Sequence, residues 1–174
     1  MIVVSQLVAV AVGPGSFTGL RIGVTTAKTL AYAVGANILG VNTLVALAAQ
    51  APPSTGSLWT ILDAQRRELF AAQFDADPRG AGIVNCDTAI VSQDAWLAGL
   101  KPGDRVIGPP LRRLAQRLPD GIVVVPDTFW QPTAAAVGQV AWQAYQAGHC
   151  DDVWKLAPNY YRPSYAEEKR ARQT

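Results

Sequence analysis

The residues best placed to do chemistry lie in Gly13-Pro14-Gly15-Ser16-Phe17-Thr18-Gly19-Leu20-Arg21-Ile22-Gly23. Gly13 and Gly15 permit positive φ and Pro14 presets a turn. Ser16 is placed to cap a following helix by accepting a backbone N–H. A glycine turn that feeds a helix N-terminus is a generic anion site. The spacing, however, is neither GxxxxGK[ST] with its lysine nor GxGxxG. It favours a turn that shapes a tight helix contact over a nucleotide cradle.

Other groups are weaker. Asp63 follows an apolar run and precedes Arg66, Arg67 and Glu68, which reads as a solvated hairpin turn able to touch a partner through its arginines. Arg112, Arg113 and Arg117 fall at helical spacing, and Lys169, Arg170 and Arg172 lie near the end. Phosphate contacts from such residues and an ordinary solvated face explain them equally well. Trp96, Trp130, Trp142 and Trp154 could stack bases; Trp142, with Val137 and Val140 nearby, is expected in the core. His149 is the only histidine and reads as a helix-end residue. With one histidine and two distant cysteines, Cys86 and Cys150, no metal site and no cofactor is expected.

The elements that must position these residues alternate. Strand Leu7–Val12 leads into helix Phe17–Val34, ended by Gly35 as a left-handed C-terminal residue. Strand Ile38–Val41 precedes helix Thr43–Gln50, started by Asn42 or Thr43. Leu58–Leu62 and Arg67–Asp75 pair as a hairpin, followed by a turn from Pro78 to Gly82. Strand Ala89–Val91, helix Gln93–Leu100, strand Arg105–Ile107, helix Leu111–Leu118, strand Ile122–Val125 and helix Thr133–Ala147 complete the order. The alternation predicts an α/β fold with a mostly parallel sheet. Expected units are 1–56 with the glycine turn, 57–165 as a second α/β subdomain, and 166–174 as a charged tail.

With 49% hydrophobic and 16% charged residues, the chain has room for a large buried contact surface. A net charge of +2 is too small to imply nucleic acid by itself. No run approaches the ~18 apolar residues of a membrane span, so no membrane contact is expected and the cytoplasm is the default. The first helix is apolar or small nearly all round; only Arg21 and Lys28 are charged, seven apart and on one side. Gly19, Gly23 and Ala27 form a row surrounded by Leu20, Ile22, Val24 and Leu30, and two helix-interior glycines, each costing about 1 kcal/mol, suggest close approach of another backbone. Either a neighbouring element of the same chain or a partner helix would satisfy this face.

GPGSFTGLRIG resembles the signature of the TsaB family (older name YeaZ) of the tRNA threonylcarbamoyladenosine machinery. The likeness continues through Ala27-Lys28-Thr29-Leu30-Ala31 and Gly40-Val41-Asn42-Thr43-Leu44-Val45-Ala46-Leu47-Ala48. It returns in Pro158-Asn159-Tyr160-Tyr161-Arg162-Pro163. The resemblance implies an α/β lobe of the actin/sugar-kinase/Hsp70 type, a mixed sheet with flanking helices. Family members normally open with a strand carrying Asp-Thr-Ser, so the first strands of that lobe are expected to be missing here. The related catalytic TsaD-type subunit carries two histidines four apart; Thr43 and Leu47 stand at those positions. The resemblance therefore implies a pseudoenzyme that binds and stabilises a TsaD-type subunit. A TsaE-type ATPase would join the same complex, and tRNA would be touched only indirectly. The interface residues it implies are Gly19, Leu20, Gly23, Val24, Ala27, Leu30, Leu44 and Leu47, oriented by Gly13, Pro14, Gly15 and Ser16. A kinase-like phosphotransferase and a self-associating module that closes a twofold homodimer are the alternatives.

Overall fold

The computed structural model describes residues 6–54, 56–74 and 87–162. Cys86, the turn from Pro78 to Gly82, Pro163 and the tail 166–174 lie outside the described residues.

The chain opens with β1 (Leu7–Gly13), α1 (Phe17–Val34), β2 (Asn37–Asn42) and α2 (Thr43–Ala49). β1 and β2 pair in parallel as a two-stranded sheet, Leu7 opposite Asn37 through Ala11 opposite Val41. β1 is apolar at every position because it is covered on both faces. Val8 and Val10 pack with Ala27, Ala31 and Ile38 beneath α1. Leu7, Ala9 and Ala11 turn the other way, toward α2 and the final helix α5 (Ala134–Gln146). The result is helix, sheet and helix in layers.

The second sheet is mixed rather than mostly parallel. β3 (Leu58–Asp63) and β4 (Glu68–Phe74) form the expected hairpin, and β5 (Ala89–Ser92) adds antiparallel to β4. β6 (Arg105–Ile107) pairs in parallel with β3, and β7 (Val123–Val124) with β6. The order β5-β4-β3-β6-β7 makes one half antiparallel and the other parallel. A four-residue turn joining β3 to β4 leaves no room for a crossover helix, so that pair must be antiparallel. α3 (Gln93–Gly99) follows β5, capped by Ser92. The helix expected at Leu111–Leu118 is shorter: α4 (Leu111–Leu114) gives way to a 3-10 turn at Ala115–Arg117.

All seven residues of α2 are buried. A helix apolar all round must lie inside the protein, and α2 sits against β1, β2, β3, β4 and α5. The expected boundary near residue 56 falls between the two sheets, yet one core runs across it from Leu39 and Leu44 to Leu69, Leu111 and Ala141. On α5 the buried stripe is Ala136, Val137, Val140, Ala141 and Ala144. Trp142 falls on the opposite side, 47% exposed against Tyr145, and not in the core as expected.

The most crowded glycine in this part of the fold is Gly40, hemmed in by side chains. A Cβ there would lie 2.5 Å from Cγ1 of Val12 and 2.8 Å from Cδ1 of Leu156. Val12 is buried and stiff at χ1. Gly40→Ala should therefore destabilise the protein by about 1–3 kcal/mol through overpacking. Chemical denaturation checks this, and an unchanged midpoint would show that Val12 and Leu156 move aside.

Candidate functional site

Of the two turn glycines expected to supply positive φ, Gly13 does and Gly15 does not. Gly13 takes φ 125°, and its Cβ position is blocked by the Asn159 carbonyl oxygen at 2.7 Å. Gly13 and Pro14 are buried, whereas Gly15 and Ser16 are exposed. Ser16 Oγ accepts from the Gly19 N–H at 3.3 Å and starts α1; Gly35 ends it in the left-handed region at φ 64°.

Three faces of α1 have three different fates. Leu20, Val24, Ala27 and Ala31 are buried on the sheet. Phe17, Arg21, Lys28 and Tyr32 meet the C-terminal segment. Lys28 Nζ donates to the carbonyls of Trp154 (3.1 Å) and Leu156 (2.9 Å), and Arg21 Nε donates to the Tyr160 hydroxyl (2.9 Å). The Phe17 and Tyr160 rings lie 4.7 Å apart, those of Tyr32 and Trp154 5.2 Å. The third face carries Gly19, Ile22, Thr26, Leu30 and Ala33, all exposed, with half-buried Gly23 at its edge beside Val10 of the sheet. Ile22 is 64% exposed and Leu30 51%.

The interface residues expected from sequence thus separate. Gly19 and Leu30 share the open face, and Gly23 stands at its edge toward Val10. Leu20, Val24 and Ala27 face this chain's own sheet, and Leu44 and Leu47 are fully buried in α2. The row Gly19, Gly23, Ala27 is not one face: four residues advance a helix about 40° past a full turn, so Ala27 has rotated about 80° from Gly19. Nor does any backbone of this chain come close to either helical glycine. A Cβ on Gly19 would meet only the Ser16 side chain, and one on Gly23 only Val10 Cγ2 at 3.8 Å.

The C-terminal segment was legible only as a short motif, and the structure gives it a physical role. The Asp151 N–H donates to the Ile38 carbonyl, and Asp151 Oδ2 accepts from the Gly40 N–H at 2.8 Å. The Asn159 N–H donates to the Val12 carbonyl at 2.7 Å. The Tyr161 hydroxyl accepts from Asn42 Nδ2 at 2.9 Å. Arg162 reaches the Ala64 carbonyl at 2.7 Å and pairs with Glu68. Residues 151–162 strap β2, α1, the glycine turn, α2 and the β3–β4 hairpin together.

That hairpin turn is unusual. Gln65, Arg66 and Arg67 all take positive φ, 62°, 52° and 60°, without a glycine among them. Asp63 Oδ1 accepts from the Gln65 N–H at 2.7 Å, and Asp63 Oδ2 pairs with Arg113 at 2.5 Å. Asp94 takes Arg117 at 2.5 Å and Arg67 at 3.9 Å. The hydrogen bond from Arg117, with desolvation opposing it and the charges of Arg117 and Arg67 adding to it, holds the Asp94 carboxyl below the ordinary carboxylate range. His149 sits just beyond α5, its N–H donating to the Ala144 carbonyl, and Cys150 is exposed. Among the described residues no group of three or more His, Cys, Asp or Glu side chains comes together that could hold a metal ion. No helix among them is long and apolar enough to cross a membrane.

A layered α/β lobe with a mixed sheet, whose glycine turn launches a helix left open on one face, is the class of protein these observations define. A sequence model of the family described as TsaD, tRNA N6-adenosine threonylcarbamoyltransferase, matches residues 5–93, and the chain belongs to that family. Within it, the chain is 38% identical over 100 residues to the Bacillus subtilis tRNA threonylcarbamoyladenosine biosynthesis protein TsaB, covering 58% of this chain and 43% of that one. It is 37% identical over 70 residues to the Escherichia coli protein of the same name, covering 39% and 30%. The chain therefore spans less than half the length of these curated relatives. A solved structure of YeaZ from Pseudomonas aeruginosa superposes with a TM-score of 0.71 at 21% identity, over 89% of this chain and 73% of that one. The fold is the actin/sugar-kinase/Hsp70-like lobe expected from the motif.

Two outcomes follow from this geometry. Gly23→Ala should stabilise the protein by about 0.5–1 kcal/mol, because the helix gains propensity and the new Cβ makes an ordinary contact. A lowered melting temperature would mean that the position is more crowded than its surroundings indicate. For Asp94, an NMR titration of the carboxyl should place its pKa below the usual range. Arg117→Gln should raise it toward that range. The sign is fixed by the pairing: the favourable interaction is present above the ordinary carboxylate pKa and is lost as pH falls through the lowered one.

Proposed function

We propose that this chain acts in tRNA threonylcarbamoyladenosine biosynthesis as a non-catalytic TsaB-type subunit that docks a TsaD-type catalytic subunit through the open face of α1. The observation that carries the reading is that face itself. Gly19, Ile22, Gly23, Thr26, Leu30 and Ala33 make a flat, mostly apolar surface, with exposed Ile22 and Leu30 as its largest groups. α1 is already held on its other two sides by the sheet and by residues 154–160, so it offers this face in a fixed orientation. Gly13, Pro14, Gly15 and Ser16 set that orientation at its start. Flat small-residue surfaces let a second helix approach closely, and large apolar side chains at their centre carry most of the affinity.

The non-catalytic part of the reading is supported by α2. Thr43 and Leu47 occupy the positions where the resembled catalytic subunit carries its histidines, and both are buried, Leu47 completely. The division of the chain near residue 56 is carried forward with the same reading: residues before it present the docking helix, and residues after it support it through α5.

The test is association of the full chain with a TsaD-type subunit, measured by calorimetry and by sizing. Ile22→Asp combined with Leu30→Asp should weaken binding at least about a hundredfold, the loss of two central apolar anchors at ~1.4 kcal/mol per tenfold. Both side chains are exposed, so the melting temperature should hold to within the change typical of a surface substitution, about 0.5 kcal/mol. Wild-type affinity in this variant would remove α1 from the interface. A wild-type chain that forms only its own twofold dimer, lost in the variant, would assign the face to self-association instead.

A further inference from the structure

The β3–β4 turn, α4 and the 3-10 turn after it bring four arginines to one open cleft of about 340 Å3. Arg66 and Arg67 come from the turn, Arg113 from α4 and Arg117 from the 3-10 turn. Among the described residues Asp63 is the only carboxylate that lines it, and Asp94 pairs with two of its arginines. Among the described residues that line the cleft, arginine outnumbers carboxylate four to one. Pairing does not exhaust the guanidiniums: each presents five N–H donors, and a carboxylate engages one edge. The side chains of Arg67 and Arg113 are 75% and 65% exposed, and that of Arg117 43%, so an incoming anion reaches them without prior desolvation.

From this arrangement we infer that the cleft binds the phosphodiester backbone of RNA, giving this chain a direct contact with tRNA in place of the indirect one expected from its sequence. This choice of ligand rests on the role proposed above. Arginine is the side chain suited to phosphate, because its fork matches two oxygens at once. The shape argues for a backbone rather than a free nucleotide. The cleft is open, and among the described residues Leu114 is its only apolar lining residue and no aromatic ring lines it to stack a base. The turn also explains why the arginines stand where they do. Three successive left-handed residues without glycine are an uncommon geometry. The geometry is held from below by Asp63 on the Gln65 N–H and by Arg162 on the Ala64 carbonyl.

The experiment is fluorescence anisotropy of the full chain with an unmodified tRNA transcript between 50 and 200 mM salt. Wild-type affinity should fall linearly on a log–log plot. Each arginine removed should lower the slope by roughly 0.7–0.9, the change expected for one phosphate contact. Arg113→Gln with Arg117→Gln should lose both contacts. Because that pair also releases Asp63 and Asp94, Arg67→Gln is tested separately: its ion pair is long and exposed, and the fold should not depend on it. Lys101→Gln, away from the cleft, should change neither affinity nor slope. Unchanged tRNA binding in both arginine variants overturns the proposal. ATP binding that depends on these arginines while tRNA binding does not would reassign the cleft to free nucleotides and also overturn it. Association with the TsaD-type subunit is measured on the same proteins without RNA. A chain that pairs normally but ignores tRNA defeats the cleft alone. One that holds tRNA through these arginines but does not pair defeats the subunit reading alone.

Discussion

One buried carboxamide joins the parts of this molecule on which everything else rests. Asn42 is fully buried at the junction of β2 and α2. Its Oδ1 accepts from the Leu44 N–H at 2.8 Å and caps α2, while its Nδ2 donates to the Thr88 hydroxyl at 3.0 Å and the Tyr161 hydroxyl at 2.9 Å. A buried amide left unsatisfied costs roughly 1–3 kcal/mol per group, so each partner must be present for the others to be tolerated. The cap fixes where α2, apolar after Thr43, begins at the centre of the core. The two donated bonds then tie that point to the lead-in of β5 and to the C-terminal strap. A core helix, a sheet edge and the chain's last described residues are thereby placed by a single side chain.

Local elements were written plainly in the sequence because each has a short-range cause. The apolar run of β1, the Ser16 cap, the Gly35 terminator and the Asn42 cap need no more than a few neighbours to act, and the structure has α1 at Phe17–Val34 as read. What was not legible has long-range causes. The strap contributes backbone N–H groups and carbonyls to partners more than a hundred residues away, and such bonds leave no periodicity. Its only sequence trace was the short stretch around Tyr160, Tyr161 and Arg162. The faces of α1 were hidden for a different reason. A helix apolar nearly all round has no polar stripe to mark its outside, so burial of Leu20, Val24 and Ala27 and exposure of Ile22 and Leu30 are decided by what packs on it. Trp142 shows the converse: aromatic size suggested burial, and the position of the α5 stripe prevented it.

The glycines make the same point about what a residue type can say. Helical glycine costs free energy, which drew attention to Gly19 and Gly23, yet neither is crowded by this chain. The unavoidable glycines are those whose Cβ would strike fixed atoms: Gly40 against Val12, Gly13 against Asn159, and Gly108 against the Ile61 carbonyl oxygen. In a strand or turn the alternating pleat leaves a glycine no freedom to point elsewhere, so close approach there is compulsory. On an exposed helix face the same residue leaves open space, and open space acquires meaning only from a partner.

The open helix face and the arginine cleft are joined through the strap rather than through the sheets. Tyr160 lies against Phe17 at the start of α1 and accepts from Arg21. Its neighbour Tyr161 is held by Asn42, and Arg162 grips the β3–β4 turn through the Ala64 carbonyl and Glu68. Three consecutive residues thus touch α1, the core cap and the base of the arginine turn. Side-chain networks of this kind act as units, because loosening one bond exposes buried partners of the next. The geometry that holds α1 in place is therefore the geometry that holds Arg66 and Arg67 at the cleft.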